Sequence, residues 1–129
     1  ESGALPGTLE IYDACYSAAR DCWTLLTDLG VYLSFDGGAT WTEPTDSPSL
    51  DGEARCVADG GLTLFATRQT EGNVIYWTSD NWETFSTEYL DGPVSGTFYD
   101  NKIVVGGGEF WYMCQDSDEN VIFKRSLKL

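Results

Sequence analysis

"SFDGGATW" at residues 34–41 is the stretch that decides the fold. It places two hydroxyl side chains, a carboxylate, two glycines and an indole ring within eight positions. A tight turn between strands needs such groups: side-chain oxygens that accept turn N–H groups, a residue that tolerates positive φ, and a ring that anchors the loop. The octapeptide therefore predicts a structural turn in a β protein rather than a catalytic site.

Two weaker copies of the octapeptide follow, "TSDNWETF" at 78–85 and "DSDENVIF" at 116–123. The central aspartates of successive copies lie 44 and 38 residues apart, and an aromatic residue follows each aspartate by five positions. These aspartate and aromatic pairs are Asp36 and Trp41, Asp80 and Phe85, and Asp118 and Phe123. The spacing predicts an internal repeat.

Short runs rich in Val, Ile, Tyr, Trp and Thr fill the chain, and no stretch has the period of an amphipathic helix. Glycine, proline, aspartate and asparagine separate the runs, as turns require. The sequence therefore predicts an all-β protein. The twelve predicted strands are residues 9–17, 22–28, 30–36, 39–44, 54–59, 62–68, 73–80, 83–90, 94–100, 102–108, 110–116 and 120–129.

The twelve strands divide into three groups of four within one domain, residues 1–129, with repeats at about 8–46, 50–91 and 93–129. One octapeptide falls between the third and fourth strand of each group. This layout predicts three four-stranded antiparallel propeller-like blades. Three blades are too few to close a ring, so the chain is expected to oligomerise with a copy of itself or with another repeat protein. A sandwich or an open solenoid built from the same hairpins is the alternative.

The pattern Ser/Thr-x-Asp-x-Gly-x-Thr-Trp resembles the Asp-box, or BNR repeat, of sialidases, sortilin-type receptors, photosystem assembly factors and other β-propellers. The first copy matches in full, the second has Trp82 in place of the glycine, and the third has Asn120 there. The resemblance implies that each box lies on the outer turn of a blade, away from the ligand site. The matching residues are Ser34, Asp36, Gly38, Thr40, Trp41, Thr78, Asp80, Thr84, Phe85, Asp118, Asn120 and Phe123.

The charge balance excludes several classes of partner and site. Seven basic residues against twenty-one acidic ones give a net charge of −14, which disfavours nucleic acid and anionic membrane surfaces. The chain has no histidine, so the commonest general base and zinc ligand is missing. No run of apolar residues is long enough for membrane insertion. Neither a cofactor nor a bound metal is predicted.

Four cysteines in a short chain predict two disulfides and an extracellular, secreted or particle-surface location. A hairpin would close the six residues between Cys15 and Cys22, so this pair is favoured, with Cys56 and Cys114 pairing or remaining free. Four reduced, buried thiols are the alternative.

Two other motifs carry weaker signals. "DSDEN" places Asp116, Asp118 and Asn120 at alternate positions, as a calcium loop begins, but Val121 and Leu127 stand where an EF-hand needs glycine and glutamate. "GGGEF" at 106–110 lacks the spacing and the following helix of a phosphate-binding loop. Both motifs are therefore expected to be structural.

Three functions are compatible with these features of the sequence. The resemblance suggests a sialidase-like glycoside hydrolase, yet that family needs three arginines and a "FRIP"-like start, and this chain offers four scattered arginines and no such start. A carbohydrate- or protein-binding module, lectin-like, uses exposed aromatic rings. The candidate ligand-binding residues are Trp23, Trp77, Trp82, Trp111 and Tyr112, with Trp82 favoured because it replaces a turn glycine and is expected to project outward.

An architectural subunit of a virion or extracellular appendage is the third possibility. The C-terminal stretch "FKRSLKL" concentrates Lys124, Arg125 and Lys128, which suit docking against an acidic neighbour. An ordinary edge strand carrying protective lysines is the alternative. The sequence as a whole favours a non-catalytic, self-assembling recognition or surface protein, whose partners are itself, a glycan or another surface protein.

Overall fold

A computed structural model describes residues 2–48, 50, 54–69, 72–90, 100–106, 109–115 and 121–124. Within these ranges the chain is all-β, with antiparallel strand pairing throughout and no helix, which confirms the predicted fold class at that level. The strands are β1 (Ser2–Gly3), β2 (Ile11–Ser17), β3 (Cys22–Thr27), β4 (Gly30–Ser34), β5 (Trp41–Thr42), β6 (Ala54–Asp59), β7 (Leu62–Gln69), β8 (Gly72–Thr78), β9 (Ser86–Leu90), β10 (Asp100–Gly106), β11 (Glu109–Gln115) and β12 (Val121–Lys124).

The first sheet has the order β1-β5-β4-β3-β2. Strands β2 to β5 follow one another as hairpins, as the sequence predicts. Strand β1 adds an edge that the sequence did not predict, because Ser2 pairs with Thr42 and Gly3 pairs with Trp41. A register irregularity between Ile11 and Asp13 bends β2 near its start.

The second sheet has the order β6-β7-β8-β9, and the third has the order β10-β11-β12. The ninth predicted strand, residues 94–100, falls almost entirely outside the described residues; Asp100 begins β10. The described part of the third sheet therefore contains three strands.

Local sequence explains the tightest hairpins. Gly60 and Gly61 form the two-residue connection between β6 and β7, and both have positive φ, 58° and 86°. Two-residue hairpin loops with positive φ at both positions match the twist of the flanking strands and favour glycine. The position of this turn fixes the register of Asp59 opposite Leu62.

One hydrophobic core joins the first and second sheets. Its buried side chains come from β3 and β4 on one side, and from β6, β7, β8 and the following turn on the other. The largest fully buried rings are Trp82 and Phe65. The core members are Cys22, Leu26, Val31, Leu33, Ala54, Phe65, Val74, Tyr76 and Trp82.

The second sheet lies against both of the other sheets through its edge strand β6. Strand β6 contacts β2 of the first sheet and β10 of the third. Each sheet ends in two different edge strands, so no sheet closes on itself within the described residues. The described part of the chain contains no helix with the length and hydropathy that a transmembrane span requires.

Candidate functional site

The 34–41 turn, which joins β4 to β5, is organised around the carboxylate of Asp36. Asp36 Oδ1 accepts hydrogen bonds from Ser34 Oγ and from the Thr40 backbone N–H, each at 2.8 Å. Asp36 Oδ2 accepts from Thr40 Oγ1 at 2.5 Å. Both carboxylate oxygens are therefore occupied by groups of the turn itself.

The 78–85 turn, which joins β8 to β9, repeats these contacts of the central carboxylate. Asp80 Oδ1 accepts from the Thr84 N–H at 2.9 Å and lies 2.8 Å from Thr78 Oγ1. Asp80 Oδ2 accepts from Thr84 Oγ1 at 2.6 Å. Two octapeptides that share few letters thus build the same turn, because the hydroxyl and carboxylate positions are kept.

The backbone of the two turns also agrees. Gly37 and Gly38 have φ of 71° and 93°, and Asn81 and Trp82 have φ of 59° and 66°. Left-handed backbone is costly for a residue with a β-carbon. Trp82 therefore has the backbone conformation of the turn glycine, as the aligned sequences predict. Its side chain, however, is buried and does not project outward.

These hydrogen bonds stabilise the charged form of both aspartates. The Thr40 hydroxyl, followed by the Thr40 N–H, lowers the pKa of Asp36. The Thr84 hydroxyl, followed by the Thr84 N–H, lowers the pKa of Asp80 to about 2. A general acid at neutral pH needs a raised pKa, so neither carboxylate suits that task.

Trp82 corrects the prediction of an outward-projecting ligand residue. Its side chain is 0% exposed, and its ring centroid lies 5.1 Å from that of Phe65 and 6.4 Å from that of Phe85. The indole Nε1 is buried without a hydrogen-bond partner. Trp82 is a core residue, and no ligand on the surface can stack on it.

The other candidate aromatics have different positions. Trp23 on β3 is exposed, whereas Trp77 on β8 is half-buried between its register partners Leu64 and Ser86. Trp111 and Tyr112 lie on β11, opposite Val104 and Ile103, and their side chains lie outside the described residues.

Several further predicted residues fall in the third sheet. Phe123 lies on β12 opposite Met113, and Lys124 lies opposite Tyr112. Asp116, Asp118 and Asn120 of the third octapeptide lie outside the described residues, as do Arg125 and Lys128 of the basic C-terminal stretch. Within the residues that are described, no three His, Cys, Asp or Glu side chains are grouped to hold a metal ion.

Tyr16 and Trp23 form an exposed aromatic pair that sequence reasoning only half identified. They are register partners across the β2–β3 hairpin, with ring centroids 5.2 Å apart, and are 42% and 39% exposed. The Tyr16 hydroxyl donates to Asp21 Oδ1 at 2.7 Å, and this bond raises the pKa of Tyr16. The prediction missed Tyr16 because the hairpin register, not the sequence distance, makes the pair.

A shallow hollow of about 240 Å³ lies beside the 34–41 turn. The exposed ring of Phe35 and the half-buried ring of Trp41 contribute to its walls. The complete lining is Leu33, Phe35, Asp36, Thr40, Trp41 and Thr42. Both Asp36 oxygens in this lining already accept hydrogen bonds from the turn itself.

The cysteines do not form the predicted Cys15–Cys22 pair. Cys15, Cys22 and Cys56 are free thiols in the structure. The register of β2 and β3 places Ser17 opposite Cys22 and Thr24 opposite Cys15. Diagonal neighbours on adjacent strands are roughly 7–8 Å apart, beyond the usual Cα spacing of a disulfide. Cys114 lies on β11 opposite Asn101 and Ile122.

No protein-family model, no curated protein and no solved structure matches the chain. The function therefore has to be argued from the geometry of the described residues.

Proposed function

We propose that the chain is a non-catalytic carbohydrate-recognition module of the Asp-box propeller type, acting outside the cell. The observation that carries the proposal is the exposed Tyr16–Trp23 pair, whose tyrosine is fixed by Asp21.

The architecture is supported by the two equivalent turns. Each joins the third and fourth strand of a four-strand hairpin series, and each is held by the same carboxylate–hydroxyl bonds. Strands β2 and β6, the first strands of their two hairpin series, lie next to each other, as the inner strands of neighbouring blades do. We infer that each sheet is one blade and that the octapeptides are structural Asp-boxes.

The ring pair has the chemistry of a sugar platform. A pyranose presents an apolar C–H face that stacks on an indole or phenol ring, while its hydroxyls need nearby hydrogen-bonding groups. Trp23 and Tyr16 supply the rings, and the carboxylate of Asp21 and the Tyr16 hydroxyl supply polar atoms at their edge. The pair is held across a hairpin, so little side-chain entropy is lost on binding.

The surface charge narrows the class of sugar. A net charge of −14 repels sialic and uronic acids at the distances over which proteins attract their ligands. Neutral hexoses and N-acetylhexosamines have no net charge and are not repelled in this way. The proposal therefore names neutral glycans as the ligand class.

The test is binding of the full chain to an array of neutral and acidic glycans, followed by titration calorimetry on the best neutral ligand. Trp23→Ala should abolish binding, and Tyr16→Phe should weaken it severalfold. Leu29→Ala is the matched control, because Leu29 is 63% exposed at the opposite end of the same strands. The proposal is wrong if Trp23→Ala keeps its affinity for the neutral glycan, or if the chain binds acidic glycans alone.

Self-assembly is the second proposal, and the open arrangement of the sheets favours it. Three blades leave two faces without a neighbour, and a second copy would complete a six-bladed ring. Light scattering should then give a native mass near twice 14.2 kDa. A monomeric mass at all accessible concentrations would contradict the ring. This architectural role and glycan recognition are compatible.

A further inference from the structure

Strands β2 and β6 lie side by side although they belong to different sheets. The Cys56 backbone N–H donates to Asp13 Oδ2 at 2.9 Å, and Arg55 Nη1 donates to the Tyr12 carbonyl at 3.4 Å. These two bonds join consecutive residues of β2 to consecutive residues of β6. They fix the alignment of the two strands along this seam.

Cys15 and Cys56 both lie along the seam. Cys15 follows Asp13 by two positions, so both side chains lie on the same face of β2. The Cys56 backbone bonds to the Asp13 side chain, so this face of β2 is turned towards Cys56. Both cysteines are half-buried and carry free thiols. The Cys15 thiol also raises the pKa of Cys56, as a neighbouring group does.

Cys22 is the competing partner, and its position disfavours it. It belongs to the buried core and lies opposite Ser17 in the hairpin register. Its thiol lies 3.5 Å from the Trp23 carbonyl. Burial, and to a smaller extent the nearby Cys15, raises the pKa of Cys22 to about 11, which keeps it in the unreactive thiol form at neutral pH. Trypsin digestion distinguishes a Cys15–Cys22 bond from a Cys15–Cys56 bond.

We propose that Cys15 and Cys56 form a disulfide that joins the first and second sheets when the chain meets a small-molecule disulfide of the oxidised-glutathione class. The Cys15 thiolate attacks one sulfur of the oxidant, and one small thiolate leaves. The Cys56 thiolate then attacks Cys15 Sγ and displaces the second small thiolate. The protein loses two electrons and two protons, and the oxidant becomes two thiols.

The charged groups around Cys56 set the pH dependence of the closing step. In the reduced chain the Cys15 thiol and burial raise the pKa of Cys56 well above its ordinary value, and the Asp13 carboxylate raises it further while Arg55 opposes the rise. Burial and the Asp13 carboxylate still act on Cys56 once Cys15 carries the small thiol. Only the thiolate attacks, so ring closure should become faster as the pH increases from 7 to 9.

Trypsin assigns the linkage without ambiguity, because its cleavage sites put each cysteine in a different peptide. Cys15 falls in residues 1–20, Cys22 in 21–55, Cys56 in 56–68 and Cys114 in 103–124. The full chain is incubated with oxidised glutathione, alkylated, digested and analysed by mass spectrometry. We expect peptide 1–20 linked to peptide 56–68. Any other linked pair, or glutathione retained on Cys15 and Cys56 separately, overturns the proposal.

Three variants serve as controls for this assignment. Cys15→Ser and Cys56→Ser should each abolish the linked peptide, whereas Cys22→Ser should keep it. Oxidation should raise Tm by on the order of 10 °C in the parent chain and in Cys22→Ser, because the bond closes a long loop. An equal rise in Cys56→Ser would show that a different bond is responsible.

Discussion

Arg20 Nε donates a 2.9 Å hydrogen bond to the carbonyl of Gly61. The bond joins the β2–β3 turn of the first sheet to the β6–β7 turn of the second, across 41 residues of sequence. The Arg20 charge also contributes, after the hydrogen bonds from Thr84 and Thr78, to the low pKa of Asp80. One side chain thus connects the packing of the sheets with the electrostatics of the 78–85 turn.

Replacing Arg20 by alanine should affect stability and titration together. Loss of the bond to Gly61 should lower the free energy of unfolding by about 1 kcal/mol. Loss of the charge should raise the pKa of Asp80 slightly. Urea unfolding and an NMR titration of the carboxyl carbons measure the two effects. Arg20→Lys keeps the charge but loses the guanidinium, so this variant should be less stable while the pKa of Asp80 changes little. If the pKa of Asp80 is the same in Arg20→Ala and Arg20→Lys, the Arg20 charge does not act on Asp80.

Acid should weaken the fold through Asp80. Its pKa is about 2 in the folded protein, below the ordinary 3.8 that the unfolded chain adopts. A carboxyl with a lowered folded-state pKa contributes its full stabilisation above the ordinary value and loses it as the pH falls towards the folded value. Tm should therefore decline between about pH 4 and pH 2.

The matched variants for this decline are Asp80→Asn and Asp59→Asn, the latter at the exposed end of β6. Asp80→Asn should have a lower Tm at pH 7 and a shallower decline in acid. Asp59→Asn should follow the parent curve. A parent-like acid slope in Asp80→Asn would show that other carboxylates govern acid unfolding.

Trp82→Ala should be among the most destabilising substitutions in the second sheet. It removes a fully buried indole that packs on Phe65 and Phe85, a loss of about 3–5 kcal/mol. Trp82→Phe should cost less, because it keeps a ring and deletes the unpaired Nε1 donor. Chemical denaturation of both variants decides between a core ring and a surface ring, since a surface ring would tolerate either change.

The hydroxyls of Ser34 and Thr78, at the start of the two turns, should contribute equally to the free energy of unfolding. Ser34 Oγ accepts from the Gly38 N–H at 2.8 Å, and Thr78 Oγ1 accepts from the Trp82 N–H at 3.0 Å. Ser34→Ala and Thr78→Ala should each cost about 1–2 kcal/mol. The double variant should lose the sum, because each hydroxyl bonds within its own turn and the turns belong to different sheets. Denaturant midpoints test this, and a large cost confined to one turn would argue against their equivalence.

The hairpins and turns were predictable because their determinants are close in sequence. Residues 22–34 and 54–69 are short runs rich in apolar and β-forming residues that are divided by turn residues, and their strands appear where this pattern predicts them. The 78–85 turn kept its geometry without a glycine, since Thr78, Asp80 and Thr84 supply the bonds locally. By contrast, β1 is two residues long and exists only because β5 is there to pair with it.

By itself, the sequence determined an all-β chain, the order of its hairpins and the hydrogen-bonding logic of its two octapeptide turns. These depend on short runs of strand-forming residues, on turn residues and on hydrogen bonds within each octapeptide. Only the tertiary structure decided that Trp82 points into the core, that Tyr16 stands beside Trp23, and that β2, which carries Cys15, lies against β6, which carries Cys56. Those outcomes depend on strand register and on how one sheet packs against the next, which are set by contacts between residues far apart in the chain.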